Sequence, residues 1–192
     1  MNPKPKILCF AGSTRSGSFN KKLIKIAMQG AINAGAEVLL IDLRDFPMPI
    51  YDGDLEAEKG LPDPAKKLKE LFLNHHGFLI SAPEYNSSVS GVLKNTIDWL
   101  SRPAPNESTL ACFKDKFAGL MSASPGSLGG LRGLADLRAI LSNIGTHVIP
   151  HQVAIPKAHE AFNEDGSLKD LKHQALVEKI GAHLTSLLLK LC

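Results

Sequence analysis

The chain has 192 residues, of which 44% are hydrophobic and 21% charged, and its formal net charge is +3. This composition is ordinary for a globular protein, and the length allows one compact domain, which we predict over residues 1–192. The small net charge and scattered basic residues argue against a nucleic-acid-binding protein. They also argue against the acidic docking face that an electron carrier presents to basic partners.

The sequence also argues against membrane insertion and against a structural metal. No uninterrupted apolar stretch approaches the ~20 residues of a membrane helix, and the N-terminus lacks the features of a signal peptide. Cys9, Cys112 and Cys192 are odd in number and form no Cys-x-x-Cys spacing, which disfavours a disulfide framework or a zinc site. We therefore expect a cytoplasmic protein without a metal.

Apolar runs that alternate with helical periodicity predict the elements in chain order. The predicted strands are residues 6–10, 37–43, 77–82 and 117–122, followed by a short, broken fifth strand over 147–150 and 153–155. The predicted helices are residues 18–34, 64–74, 91–101, 131–142 and 168–191. Residues 44–63 are rich in Pro and Gly and are predicted to form one long loop with a functional or interface role.

This order of elements predicts an α/β fold. Continuously apolar strands separated by helices indicate a parallel sheet covered on both faces. Five strands with right-handed crossovers favour a flavodoxin-like three-layer sandwich with strand order 2-1-3-4-5. Ligands bind to such sheets at the carboxyl ends of the strands, near the switch point between the first and third strands. The loops that follow those strands are therefore predicted to form the site.

The loop after the first strand, residues 12–18, has the donors that a phosphate monoester requires. It leads into a helix whose N-terminal N–H groups and dipole attract anions, and it adds hydroxyl groups and the guanidinium of Arg15. Ser18-Phe19 stands where a P-loop needs Lys-Ser/Thr, and Thr14 occupies the second glycine position of a Rossmann fingerprint. Neither of those motifs is supported, and a simple capped helix start stays the alternative.

The loop after the third strand could hold a flat ring, and the loop after the fourth strand could approach a ligand closely. Tyr85 offers an aromatic platform and Asn86 a two-way hydrogen-bonding group, although a surface turn would have the same composition. Glu84 is expected to be a solvated carboxylate rather than a catalytic acid. Residues 124–130 carry three glycines, which allow close approach to a ligand, or simply form a mobile connection.

No side chain stands out as a catalyst. The sequence shows no Ser-His-Asp order, no carboxylate pair and no histidines at ligand spacing. This absence is typical of a protein in which a bound cofactor performs the chemistry.

Three ordered motifs together resemble the NADPH-dependent FMN reductases, a group that includes chromate and quinone reductases and some azoreductases. The motifs are Gly12-Ser-Thr-Arg-Ser-Gly-Ser-Phe-Asn20, Pro83-Glu-Tyr-Asn86 with Gly91-Val-Leu-Lys-Asn-Thr-Ile-Asp-Trp99, and Ser124-Pro-Gly-Ser-Leu-Gly-Gly-Leu-Arg132. The resemblance extends over nearly the whole chain.

The resemblance implies which residues bind FMN. The residues that match the family's phosphate loop are Ser13, Arg15, Ser18 and Asn20. The residues that match the loop contacting the isoalloxazine ring are Pro83, Glu84, Tyr85 and Asn86. Two further residues, Ser124 and Gly126, match the family's third loop beside the flavin. Family members are usually homodimers or homotetramers. Where the family commonly has proline, this chain has Ser90. The absence of that proline is expected to loosen the start of the following helix.

The resemblance also implies an activity. Bound FMN would take a hydride from NAD(P)H and pass it to a quinone, a free flavin, an azo compound or a metal oxyanion. The preference between NADPH and NADH, the natural acceptor, and the choice of dimer or tetramer stay open. Two other functions stay possible from the sequence, a flavodoxin-like electron carrier and a non-catalytic flavin-binding module.

Overall fold

The computed structural model describes residues 4–104 and 107–191, so that Cys192 lies outside the described residues. The strands are β1 (Lys6–Ala11), β2 (Glu37–Asp42), β3 (Gly77–Ser81), β4 (Glu84–Tyr85), β5 (Ser88–Val89), β6 (Phe117–Ala123) and β7 (His147–Ile155). The helices are α1 (Phe19–Asn33), α2 (Gly53–Lys59), α3 (Asp63–Leu73), α4 (Gly91–Leu100), α5 (Leu131–Asn143), α6 (Ala158–Ala161) and α7 (Leu171–Leu191).

Five strands form one parallel sheet in the order β2-β1-β3-β6-β7, while β4 and β5 pair with each other outside it. Counted along the sheet strands alone, this is the predicted order 2-1-3-4-5, which is confirmed. Ala11 lies beside Ser81, and Ser81 lies beside Met121. The carboxyl ends of β1, β3 and β6 are therefore level at one edge of the sheet.

The predicted break in the fifth sheet strand is wrong. β7 is continuous from His147 to Ile155, and the irregularity is a register shift against β6 between Ala118 and Leu120. Pro150 is compatible with a continuous strand because β7 is at the edge of the sheet. An edge strand pairs on one side only, so a proline there, which has no N–H, is tolerated.

The prediction of one long loop over residues 44–63 is also wrong. The segment begins within a 3₁₀ turn, Leu43–Asp45, and contains α2. Asp52 caps α2 by accepting hydrogen bonds from the N–H groups of Asp54 and Leu55 at 2.8 and 3.3 Å. The indole N–H of Trp99 donates to the carbonyl of Pro49 at 2.8 Å, which fixes the segment against α4. The prolines and glycines of this segment are typical of a loop, and for that reason the sequence did not indicate Asp52 as a helix cap.

The last helix begins three residues later than predicted. Asp170 accepts hydrogen bonds from the N–H groups of Lys172 and His173 at 2.8 and 3.3 Å, so the helix starts at Leu171. Leu168 instead forms an isolated antiparallel bridge with Phe162.

Two apolar cores lie on opposite faces of the sheet. Residues of α1 and α7 cover one face, and residues of α3, α4 and α5 cover the other. α7 lies so close to α1 that a Cβ at Gly181 would overlap the carbonyl oxygen of Ala27. Among the residues described, no helix combines the length and the apolar character needed to cross a membrane.

Each core contains a free thiol. Cys9 lies in β1 and Cys112 follows α4, and both are completely buried. Burial disfavours the charged thiolate, so the pKa of Cys9 rises to about 12 and that of Cys112 to about 11.

Candidate functional site

The loops after β1, β3 and β6 meet in a narrow cleft at the carboxyl edge of the sheet. The cleft is lined by Ser13, Arg15, Ser18, Phe19, Asn20, Pro83, Glu84, Tyr85, Ala123, Ser124 and Pro125. All the predicted site residues except Asn86 and Gly126 are in this lining. The topology thus brings together side chains that lie more than 100 positions apart in the sequence.

The first loop, residues 12–18, presents a set of unused hydrogen-bond donors. Ser18 is the N-cap residue of α1, yet its hydroxyl makes no capping bond to the helix. Within the part of the chain that the structure describes, no protein acceptor is found for the N–H groups of residues 13, 14 and 16–20. Because these donors precede and open a helix, they form a site suited to an anion.

Two arginines bring positive charge to this loop. The side chain of Arg15 is exposed at the cleft, while its backbone N–H donates to Ser13 Oγ at 3.3 Å. Arg44 lies just beyond β2, and its guanidinium donates to the carbonyl of Thr14 and to Ser16 Oγ. Sequence reasoning missed Arg44, although its position after a neighbouring strand, at the same sheet edge, was available as a signal.

Asn20 connects the first loop to the two other strand ends. Its side chain is buried, and Oδ1 accepts from Ser81 Oγ at 2.9 Å and from the N–H of Ala123 at 3.0 Å. Its Nδ2 donates to the carbonyl of Ala123 at 2.9 Å. The amide that the resemblance assigns to the phosphate therefore also joins α1 to β3 and β6.

The second loop is a tight hairpin rather than an open turn. β4 and β5 pair through Glu84 and Val89 and through Tyr85 and Ser88. The two residues between them, Asn86 and Ser87, have φ of 51° and 67°, as in a type I′ turn, where asparagine is favoured. Asn86 thus contributes the backbone of the turn, and Tyr85 stays 46% exposed at the cleft.

The expectation of a solvated Glu84 is wrong. Its side chain is only 8% exposed, and it accepts from the N–H groups of Arg132 and Gly133 at 3.0 and 3.2 Å. It also accepts from Arg132 Nε and Nη2 at 2.9 and 2.5 Å. The carboxylate thus joins the second loop to the first turn of α5, where a negative charge is favourable. Arg132 is 48 positions away, so local sequence could not show the pair.

The environment of Glu84 lowers its pKa. Burial alone would raise the pKa, but the hydrogen bonds from Arg132 and Gly133 and the guanidinium charge outweigh burial. The pKa of Glu84 therefore lies below its ordinary value of 4.5. This carboxylate is ionised at neutral pH, and its two oxygens accept hydrogen bonds from four N–H groups of Arg132 and Gly133.

The third loop, residues 124–130, is anchored at several points. The N–H of Ser124 donates to the carbonyl of Ile155 at 3.1 Å, and the carbonyl of Ser124 accepts from Ala158 at 3.0 Å. At its end, Gly130 has φ of 94°, and a Cβ there would overlap Ser122 Oγ. These bonds contradict a mobile connection and place Ser124 firmly at the cleft.

The expected loosening at Ser90 is wrong as well. Ser90 is buried and is the N-cap of α4: its Oγ accepts from the N–H of Leu93 at 3.3 Å. The same hydroxyl donates to the carbonyl of Gly12 at 2.6 Å. Two hydrogen bonds therefore fix the start of α4 and tie it to the first loop.

Substitutions at Ser90 test whether its hydrogen bonds stabilise the start of α4 in place of the proline that is common in the family. We expect Ser90→Ala to lower the free energy of unfolding by about 1 kcal/mol, because the cap is lost. Ser90→Pro should cost less than Ser90→Ala, because φ is −67° and a proline ring restricts the unfolded chain. Urea denaturation measures both, with Ser142→Ala on the exposed face of α5 as the control. A proline variant less stable than the alanine variant would contradict this reading.

Replacing Glu84 by glutamine tests the link between the second loop and α5. We expect the free energy of unfolding at neutral pH to fall by about 1–2 kcal/mol, because the charge-assisted hydrogen bonds are lost. Since the folded-state pKa is lowered, this stabilisation is complete above the unfolded-state value near 4.5 and is lost as the pH falls through the folded-state value.

The stability gap between the wild type and Glu84→Gln should therefore be constant at neutral pH and should narrow on acidification below about pH 4.5. Urea denaturation at a series of pH values measures this gap. Glu70→Gln, on an exposed position of α3, is the control and should show little change. A gap that stays the same in acid would mean that the lost stability does not come from the charge of Glu84.

This arrangement is suited to one kind of ligand. The first loop provides free N–H groups and guanidinium charge for an anionic group, while the second and third loops provide a tyrosine, a proline and backbone edges for a flat ring. A molecule that joins a flat ring to a phosphate monoester through a side chain, as FMN does, fits this donor set.

Comparison with known proteins agrees with this geometry. The sequence profile of the NADPH-dependent FMN reductase family matches residues 5–160. An NAD(P)H-dependent FMN reductase of Pseudomonas aeruginosa is 34% identical over 180 residues, which cover 93% of this chain and 92% of that protein. An NAD(P)H:quinone oxidoreductase of Solanum tuberosum is 33% identical, over 98% of this chain and 95% of that protein.

A solved structure extends the likeness to three dimensions. FerB, a flavoenzyme NAD(P)H:(acceptor) oxidoreductase of Paracoccus denitrificans, has a TM-score of 0.78 and 29% identity, over 95% of this chain and 96% of that one. The profile match covers most of the chain, and it includes all three loops of the cleft. The chain is therefore a member of the NADPH-dependent FMN reductase family.

Proposed function

We propose that this protein binds FMN in the cleft and uses it to reduce quinones with electrons from NAD(P)H. The free N–H groups of the first loop, left without a side-chain cap by Ser18, support this function most directly. Family membership supports the cofactor and the class of donor.

The phosphate of FMN would lie against the first loop. Ser13 and Ser18 supply hydroxyl groups at the cleft, and Arg15 supplies a side-chain charge that no described carboxylate pairs with. Arg44 adds a second charge next to the same loop while holding the carbonyl of Thr14. Asn20 is proposed to act here chiefly by keeping the loop in place.

The ring of FMN would lie against the second and third loops. Pro83, Tyr85 and Ser124 border the cleft, and the Glu84–Arg132 pair keeps the two loops at a fixed separation. We also assign Asn86 and Gly126 to this wall, where they shape the backbone. The enclosed space is only about 40 Å³, so the ring would lie along the rim, with one face available to a second molecule.

Bound FMN would supply the chemistry, as a ring that accepts a hydride from NAD(P)H and gives it to the acceptor. The protein binds and orients the cofactor, and no side chain is assigned a proton-transfer role. For a quinone the overall reaction consumes NAD(P)H, one proton and the quinone, and it yields NAD(P)⁺ and the hydroquinone. The proton would come from solvent, which reaches the open rim.

The names of the relatives favour a quinone as the acceptor. A quinone reductase of Escherichia coli is 37% identical over 145 residues, which cover 73% of this chain and 71% of that protein. The Pseudomonas relative supports free flavin as the second candidate. Azo compounds, metal oxyanions and assembly into a homodimer or homotetramer stay predictions from the family resemblance. A cytoplasmic location stays a prediction from the cysteine pattern and the N-terminal sequence.

The proposed activity can be tested with the purified protein. We expect a yellow protein whose flavin absorbance bleaches when NADPH is added without oxygen and returns when menadione is added. Steady oxidation of NADPH with menadione should follow. Bound FMN without turnover would instead identify an electron carrier. A colourless protein that does not bind added FMN would identify a module that has lost the cofactor.

Arg15→Ala tests the phosphate site. We expect FMN binding to weaken by about 1.5–3 kcal/mol, because a charge-assisted contact to phosphate is lost. Far-ultraviolet circular dichroism should be unchanged, since the side chain of Arg15 is exposed. Equilibrium titration with FMN measures the effect, and titration with riboflavin, which lacks the phosphate, should show none. Unchanged FMN affinity would refute the assignment of Arg15.

A further inference from the structure

Three large apolar side chains are exposed on the loops that form the cleft. Tyr85 of the second loop is 46% exposed, Leu128 of the third loop is 49% exposed, and Leu131, the first residue of α5, is 46% exposed. Single exposed leucines are ordinary on protein surfaces, but these three side chains share one small region. We call Tyr85, Leu128 and Leu131 the apolar patch.

The turn that carries the two leucines is packed directly against the protein. The N–H of Leu131 donates to the carbonyl of Leu128 at 3.1 Å. Between them, Gly129 and Gly130 have φ of 64° and 94°, and a Cβ at Gly129 would overlap the backbone of Ile155. Because the backbone of the turn is held this closely, a ligand that covers the leucines has little loop motion to suppress.

The same turn lies against the second loop. A Cβ at Gly130 would be 3.6 Å from the Cβ of Glu84, and the N–H of Arg132 donates to the Glu84 carboxylate at 3.0 Å. Tyr85 follows Glu84 in the chain and lines the cleft, while Leu131 precedes Arg132. The apolar patch therefore extends across the junction of the two loops that are proposed to hold the ring.

Free charge is scarce around the apolar patch. Residues 85–90 and 117–131 contain no charged side chain. Glu84 and Arg132, which stand next to these segments, form an ion pair with each other. A group that lies here therefore meets apolar side chains and uncharged polar groups, which favours an apolar group over a charged one.

We propose that the apolar patch selects the acceptor, so that the protein reduces quinones with an alkyl tail in preference to quinones with a short or charged one. This inference rests on the proposed function, in which a quinone lies on the open face of the ring. The quinone head would lie over the ring beside Tyr85, and its tail would cover Leu128 and Leu131.

A second copy of the chain fits the apolar patch less well than an alkyl tail. A stable interface between proteins uses about 20–30 residues on each side. The patch has three side chains on two loops, and it borders a cleft that has to stay open to the acceptor. A tail of a few carbon atoms matches the size of the patch.

Quinones that differ only in one tail test the proposal. We would compare 2,3-dimethyl-1,4-naphthoquinone with the compound in which pentyl replaces one methyl, because both rings carry two alkyl groups and demand electrons to a similar degree. We expect kcat/KM to be roughly tenfold higher for the pentyl compound, less than full burial of four methylenes would give, because the patch is open to solvent. Equilibrium dialysis of the oxidised, FMN-loaded protein with each quinone, without NADPH, should show the same preference in Kd.

Variants of the two leucines test their role. Leu128→Gln and Leu131→Gln keep the approximate size of the side chain and make its end polar, and each should lower the pentyl-to-methyl ratio to about threefold or less. Leu176→Gln is the matched control, because Leu176 is also 49% exposed but lies on α7, and it should keep the wild-type ratio. A third quinone with a 4-carboxybutyl tail has the length of the pentyl compound and should lose the advantage.

Four results would overturn this inference. The two alkyl quinones could be bound and reduced equally well, or Leu176→Gln could lower the ratio as much as Leu128→Gln. A preference for the carboxylate tail would assign the selection to the Arg132 guanidinium instead. A smaller sedimentation coefficient of the double leucine variant would show that a second copy of the chain covers the patch.

The outcome for the proposed function is separate. In each of these four cases the dimethyl quinone is still reduced, and the proposed function stands. If no quinone is reduced although FMN is bound, the proposed function fails and this inference fails with it.

Discussion

The buried amide of Asn20 is the contact on which the site depends. It joins the start of α1 to Ser81, at the end of β3, and to Ala123, at the end of β6. The second and third loops of the cleft emerge from these two strand ends, and the first loop leads into α1. Buried hydrogen bonds of this kind contribute about 1 kcal/mol each, but a buried polar group left without its partner costs more. The three loops are consequently held as one unit.

Further hydrogen bonds connect neighbouring loops in pairs. Ser90 connects α4 to the first loop through the carbonyl of Gly12, and Glu84 connects the second loop to α5. The two links differ electrostatically. The Glu84–Arg132 pair is neutral as a whole, whereas the first loop has unpaired donors and arginine charge. A ligand with one anionic end would therefore be oriented with that end at the first loop.

The sheet could be predicted from the sequence because each buried parallel strand is a continuous apolar run bounded by polar loops. The three loops could be predicted as one site because the topology makes their strand ends adjacent. Glu84 could not be understood in this way, since its partner Arg132 comes from a different loop. Ser90 was misjudged because a side-chain cap depends on the direction of one hydroxyl. The small helix α2 was missed because prolines and glycines surround its capping residue, Asp52.

The two buried thiols have a consequence for a protein that handles quinones, as we propose. Quinones are electrophiles that add to thiolates, and the thiolate rather than the thiol is the nucleophile. With pKa values of about 12 and about 11, Cys9 and Cys112 stay protonated at neutral pH, and neither reaches solvent. The substrate would thus find no nucleophile at either position, and the protein could turn over a reactive molecule without being alkylated within its own core.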